Sequence, residues 1–127
     1  MKASGGPALA FKTGRTDSRT ANPKKQLPGR NDAAQTQVAA FRAKGFTAAE
    51  LVVLVGAHTV GRAGRAAVPM DSTPNKFDHV FYNNTAAGRS VASLRSDLAL
   101  ARGSSTGSLW RTYGSDGHEW RTAFTAA

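Results

Sequence analysis

The chain has 127 residues, enough for a single domain whose core can only be modest. It contains no cysteine, so no disulfide can staple it. It also has no apolar run of about 18 residues to span a membrane. The net charge of +9 and pI near 10.9 would suit an anionic partner. The basic residues are nevertheless dispersed, with only Lys24 and Lys25 adjacent. No zinc-finger spacing, basic zipper or aromatic RNA-binding motif accompanies them, so a nucleic-acid function rests on charge alone and is set aside. The opening MKASGGPALAFKTG lacks the apolar stretch of a signal peptide.

Residues 1–30 carry Gly5-Gly6-Pro7, Pro23 and Pro28-Gly29, which predict irregular chain with turns. A helix is expected over 32–44, with Ala34, Val38 and Phe41 on one face and Gly45 as a left-handed stop. Thr47-Ala48-Ala49-Glu50 is a capping box, and Phe46 and Leu51 are placed to staple it. The helix it opens should reach about Val60, with Leu51, Leu54, Val55 and His58 on its buried face. Residues 62–76 read as loop. Helices are expected at 77–85, 93–101 and 107–113, the last with Leu109, Trp110 and Tyr113 at helical spacing. Asp116, with Glu119 three residues on, should cap a final helix with Trp120, Ala123, Phe124 and Ala127 in one stripe. Without sustained period-two alternation or a repeat, the fold class is mostly α.

Three groups of residues could carry chemistry. His58 sits on an apolar helix face, where an imidazole is ordinarily a core residue. Gly56 and Ala57 beside it are small enough to admit a flat cofactor such as haem, whose iron takes an imidazole nitrogen. Asp97 is expected near a helix start, where the dipole favours an acid; it could also receive the second ring N–H of a ligating histidine. The stretch Met70 to Asp78 gathers Asp71, Thr73 and Asp78 with free carbonyls, and Thr59 could add its oxygens. These are ligand types that calcium takes. The alternative there is an ordinary turn, with Thr73 capping the next helix and Pro74 in its first position.

Taken together, these residues resemble the superfamily of plant, fungal and bacterial haem peroxidases. The segment Leu51 to Arg62 is similar to its proximal-histidine helix. Asp71-Ser72-Thr73-Pro74 with Phe77-Asp78 resembles the calcium loop of the secreted fungal (class II) members, the nearest match. Leu94 to Arg102 resembles their proximal-aspartate segment. Leu109-Trp110, the 120–127 helix, Gly14-Arg15-Thr16-Asp17 and Leu27-Pro28 extend the likeness over nearly the whole chain. The resemblance implies the proximal, C-terminal half of a peroxidase domain over residues 1–127, with an N-terminal lobe as its missing partner. It implies haem b with His58 as iron ligand, Asp97 orienting that histidine, and Leu27 and Pro28 along the haem edge. It implies calcium held by Thr59, Asp71, Thr73, Asp78 and the carbonyl of Lys76.

For a complete parent the resemblance implies oxidation of small electron donors by hydrogen peroxide, a role in oxidative stress, and secretion. The departures are specific. No Arg-x-x-x-His segment supplies the distal residues that cleave peroxide. His79 and His118 fall in the wrong context to replace them and are expected at the surface. Arg65 and Ser108 stand near positions where relatives carry cysteine. The manganese-binding acid of some relatives is Gly64 here, and the electron-relaying tryptophan of others is Val53. The expectation is little turnover from the chain alone. The competing reading is a non-catalytic haem- or calcium-binding helical module.

Overall fold

The computed structural model describes every residue except Met1, Phe11, Lys12, Lys25, Val91 and Ser93, with Lys2 described in its backbone alone. Ser93, the expected first residue of the fourth helix, therefore lies outside the described residues. Among those described, six α-helices run in chain order: α1 Ala34–Arg42, α2 Ala48–Val55, α3 Val80–Ala86, α4 Arg95–Arg102, α5 Gly107–Ser115 and α6 Gly117–Ala126. Short 3-10 turns occupy Lys2–Ser4 and Gly56–Thr59. The fold is mostly helical, as expected, and the chain before α1 is largely irregular.

The helix ends follow local chemistry. After α1, Gly45 adopts φ +89°; its N–H bonds the Arg42 carbonyl at 3.0 Å, and the Phe46 N–H reaches Phe41 at 3.1 Å. This is the double closure of a Schellman motif, and the Phe41 and Phe46 rings, 5.7 Å apart, supply its apolar contact. Phe46 thus turns back onto α1. At α2 the capping box forms in full: Glu50 N donates to the Thr47 hydroxyl, and Thr47 N donates to the Glu50 carboxylate at 2.7 Å. Those bonds hold the Glu50 carboxyl below its ordinary range. Asp116 caps α6 by accepting from His118 N and Glu119 N, each at 2.9 Å.

Several expectations are corrected. The α-helix of α2 stops at Val55, and His58 stands on the 3-10 turn that continues it. The deepest residues of α2 are Leu51, Val52 and Val53, while Leu54 and Val55 are half-buried, because α1, α5 and α6 surround the helix. The 62–76 loop contains a hairpin, β1 Arg62–Ala63 against β2 Val68–Pro69, antiparallel, with Arg62 opposite Pro69. Its turn uses positive φ at Gly64 and Ala67. The third helix begins at Val80 rather than Phe77. Phe77 is instead anchored in irregular chain, its N–H on Ser4 O at 2.8 Å and its ring stacked 4.6 Å from Trp120. Ala127 is exposed, so only Trp120, Ala123 and Phe124 of the final stripe meet the core. His118 is exposed as expected, but His79 is half-buried against Gly117.

The core is dominated by aromatic rings. Tyr82 on α3 lies within 5.9 Å of Phe81, Trp110, Tyr113 and Trp120, ring centre to ring centre. Its buried hydroxyl donates to Val52 O at 2.7 Å, and Trp120 Nε1 donates to Val53 O at 3.2 Å. Both groups converge on Gly56, where an added Cβ would collide with the Tyr82 hydroxyl and the Trp120 indole. Gly56 therefore makes room for core aromatics, and the space expected there for a cofactor is already filled. Gly56→Ala should destabilise the chain by about 1–3 kcal/mol, the usual penalty of overpacking, because the blocking atoms are pinned by hydrogen bonds. Chemical denaturation reads this directly, and a change below roughly 0.5 kcal/mol, the range of a neutral surface substitution, would refute the packing argument.

Candidate functional site

The 3-10 turn after α2 presents two neighbouring residues to two different places. His58 lines an open cleft of about 310 Å³, while Thr59 points into a buried group of oxygens.

In the cleft, His58 Nδ1 lies 3.2 Å from Asp97 Oδ2. Asp97 occupies the first turn of α4 and its side chain is only 3% exposed, against 38% for His58. In the neutral ring with its proton on Nδ1, that N–H donates to Asp97, and Nε2 keeps a lone pair that no described residue engages. Phe81 meets the imidazole edge-on at 5.6 Å and limits its rotation. Leu27 and Pro28 arrive from the irregular N-terminal segment to line the same cleft, joined by Phe41, Leu51 and Val55. Leu27 is 73% exposed, so this wall stands open.

Gln37 is a residue of this cleft that the sequence reading passed over. It is buried on α1, and its amide donates to Asp32 O and to Ser96 O, each at 3.0 Å, tying α1 to the start of α4 beside Asp97. The clue was present. Gln37 stands at i+3 in the stripe of Ala34, Val38 and Phe41, so a polar side chain had to enter the apolar face and find partners there.

The second place brings together Thr59, Asp71, Thr73, Lys76 and Asp78. The Thr59 hydroxyl is 2.7 Å from Asp71 Oδ2, 3.3 Å from Lys76 O and 3.3 Å from Asp78 Oδ1. Thr73 donates its N–H to Asp71 at 2.8 Å and its hydroxyl to Asp78 at 3.1 Å. Val80 N also donates to Asp78, so this acid helps open α3, while Thr73 caps no helix. One hydroxyl proton on Thr59 faces three acceptors and can satisfy only one of them. Burial raises the Asp71 carboxyl above its ordinary range, with Asp78's charge adding to the rise and the bonds from Thr59 and Thr73 opposing it. A raised folded value means stability from this group is full below the ordinary carboxylate range and is lost as pH climbs through the raised value. Among the described residues no three His, Cys, Asp or Glu side chains cluster as a metal site. The donors gathered here are two carboxylates, two hydroxyls and a carbonyl, all of them hard oxygen.

The peroxidase family matches over residues 1–116, which takes in both places. The chain belongs to the peroxidase family. It is 29% identical to Peroxidase 2 of Oryza sativa subsp. japonica, covering 97% of this chain and 51% of that protein. It is 30% identical to suberization-associated anionic peroxidase 1 of Solanum lycopersicum, covering 97% of this chain and 41% of the relative. It is 31% identical to manganese peroxidase 3 of Phlebia radiata, again covering 97% and 41%. Plant and fungal peroxidases thus match at similar identity, and the chain spans about half or less of their length.

The oxygen network makes a prediction of its own. Thr59→Val removes the hydroxyl donor of a buried carboxylate and should cost about 1–3 kcal/mol in chelator-treated protein at neutral pH. Equal midpoints in urea for the two chains would show that Asp71 does not depend on Thr59.

Proposed function

We propose that residues 1–127 form the proximal part of a haem peroxidase domain, with His58 Nε2 as the ligand to haem iron and Asp97 as its positioning partner. The observation that carries this reading is the His58–Asp97 bond at 3.2 Å, opening onto an apolar cleft. The donor set fits the group. One ring nitrogen is committed to a buried carboxylate, the other is unengaged, and apolar side chains could meet the ring of a haem b, with Leu27 and Pro28 at its edge. When bound, haem supplies the redox chemistry by which hydrogen peroxide oxidises small electron donors. The chain's own contribution is to fix the imidazole tautomer, restrict the ring's rotation and enrich Nε2 through Asp97. In a complete parent this is a peroxidase acting in oxidative stress, and by family a secreted one.

Thr59, Asp71, Thr73, Asp78 and the Lys76 carbonyl we read as a calcium site. The three acceptors crowded around one hydroxyl are what a hard divalent cation would relieve. Calorimetry should detect calcium binding that Asp78→Ala weakens by tenfold or more, about 1.4 kcal/mol. Affinity should also fall as pH drops through the raised Asp71 value, because protons compete for that carboxylate. Equal affinity in both chains removes the site.

A second reading, a haem- or calcium-binding module without turnover, concerns residues 1–127 taken by themselves, which contain no Arg-x-x-x-His segment. Positioned acid–base catalysis contributes roughly 10²–10⁴-fold in rate, which sets the size of the effect to be measured. Haem titration and donor oxidation together test both readings. His58→Ala should abolish the Soret band of the complex, and the native chain should oxidise donors no faster than an equal amount of free haem. An unchanged band in His58→Ala overturns the iron assignment. Turnover far above free haem, lost with His58, overturns the module.

A further inference from the structure

The backbone of Phe77 is held on both sides by chain that lies far from it in sequence. Its N–H donates to Ser4 O at 2.8 Å, and its carbonyl accepts Arg121 Nη2 at 2.7 Å. The same guanidinium donates through Nη1 to Gly5 O at 2.8 Å, and its carbon lies 5.5 Å from the centre of the Phe77 ring. One side chain of α6 therefore bridges the N-terminal segment to residue 77. The planar fork suits this task, because its N–H groups are fixed relative to one another and can reach two carbonyls at once. The Phe77 ring is stacked on Trp120 and meets Phe124 edge-on at 5.0 Å, which completes the anchorage.

Phe77 stands between two members of the oxygen cluster, since the Lys76 carbonyl and the Asp78 carboxylate each lie 3.3 Å from the Thr59 hydroxyl. The peptide unit is planar, so the direction of the Phe77 N–H sets the direction of the Lys76 carbonyl on the far side of the same plane. The next plane carries the Phe77 carbonyl and leads into Asp78. Ser4 fixes the first plane and Arg121 the second. We propose that Arg121 and the Ser4–Gly5 backbone form a clasp that aims the Lys76 carbonyl and Asp78 at a cation. Arg121 is then a positioning residue of the cluster, although its own bonds go to Gly5 and Phe77. This rests on the calcium reading above. A guanidinium near a cation site also opposes the ion by its charge, so positioning has to outweigh that repulsion.

Calcium is titrated by calorimetry into the full native chain, Arg121→Ala, Arg121→Lys, Asp78→Ala and the control Thr106→Ala. The Thr106 hydroxyl donates to Leu100 O at 2.6 Å between α4 and α5, so the control loses a buried bond outside the cluster. Arg121→Ala should bind calcium about fivefold more weakly or worse, the lower end of ordinary coupling between sites. Arg121→Lys keeps the charge and can reach one carbonyl, so its affinity should fall between, and Thr106→Ala should match the native chain. Linkage supplies a readout that needs no variant: a clasp that aids the ion is itself held by it. Bound calcium should therefore slow hydrogen exchange at the Phe77 amide by a larger factor than at the Trp110 amide of α5, which bonds Thr106 O. Unchanged or tighter binding in Arg121→Ala, with Asp78→Ala weakened, overturns the clasp and leaves the calcium site standing. Weakening in Thr106→Ala equal to that in Arg121→Ala overturns the positioning role, and so does equal slowing at Phe77 and Trp110. Absence of calcium binding in the native chain overturns the clasp together with the calcium reading.

Discussion

The rest of the structure depends on how α2 ends. The last carbonyls of a helix have spare accepting capacity, and here two of them, on Val52 and Val53, accept from the Tyr82 hydroxyl and the Trp120 indole. These donors come from α3 and α6, so a single terminus gathers elements separated by up to 67 residues in sequence. Only a glycine at position 56 leaves space for both. Beyond it the chain tightens into a 3-10 turn, and successive side chains are aimed about a third of a turn apart. That geometry sends His58 toward the cleft and Thr59 into the oxygen cluster.

Most helices were legible because their boundaries are written in short-range chemistry. Thr47 with Glu50, Asp116, and Gly45 each act within a few residues, and the folded chain realises all three. The turn at 64–67 was missed because a hairpin with two-residue strands has no alternation to detect. The start of α3 was placed too early because Phe77 looks like the first apolar residue of a helix. Its actual partner, Ser4, lies 73 residues away and carries no local mark.

The site residues were legible as types and spacings, and the resemblance chose among them. His58, Asp97, Leu27 and Pro28 do meet in one cleft, and the five oxygen-bearing residues do converge in one hydrogen-bonded cluster. What the sequence could not give was the meaning of the small residues. Gly56 beside a histidine suggested room for a cofactor, but the room belongs to Tyr82 and Trp120. The support behind Asp97, where Gln37 holds α1 to the backbone of Ser96 across 59 residues, was marked only by a polar residue within an apolar stripe.

His58 and Thr59 are consecutive residues of one 3-10 turn, the first lining the open cleft and the second buried among oxygens. A displacement of the peptide between them must register on both sides. If occupancy of the oxygen cluster holds Thr59 in place, it narrows the positions open to the imidazole, and an occupant of the cleft narrows those open to Thr59. Linkage then fixes the symmetry: whatever free energy one occupant contributes to the binding of the other, it receives back in equal measure. A single peptide bond thus joins the open cleft to the buried oxygen cluster.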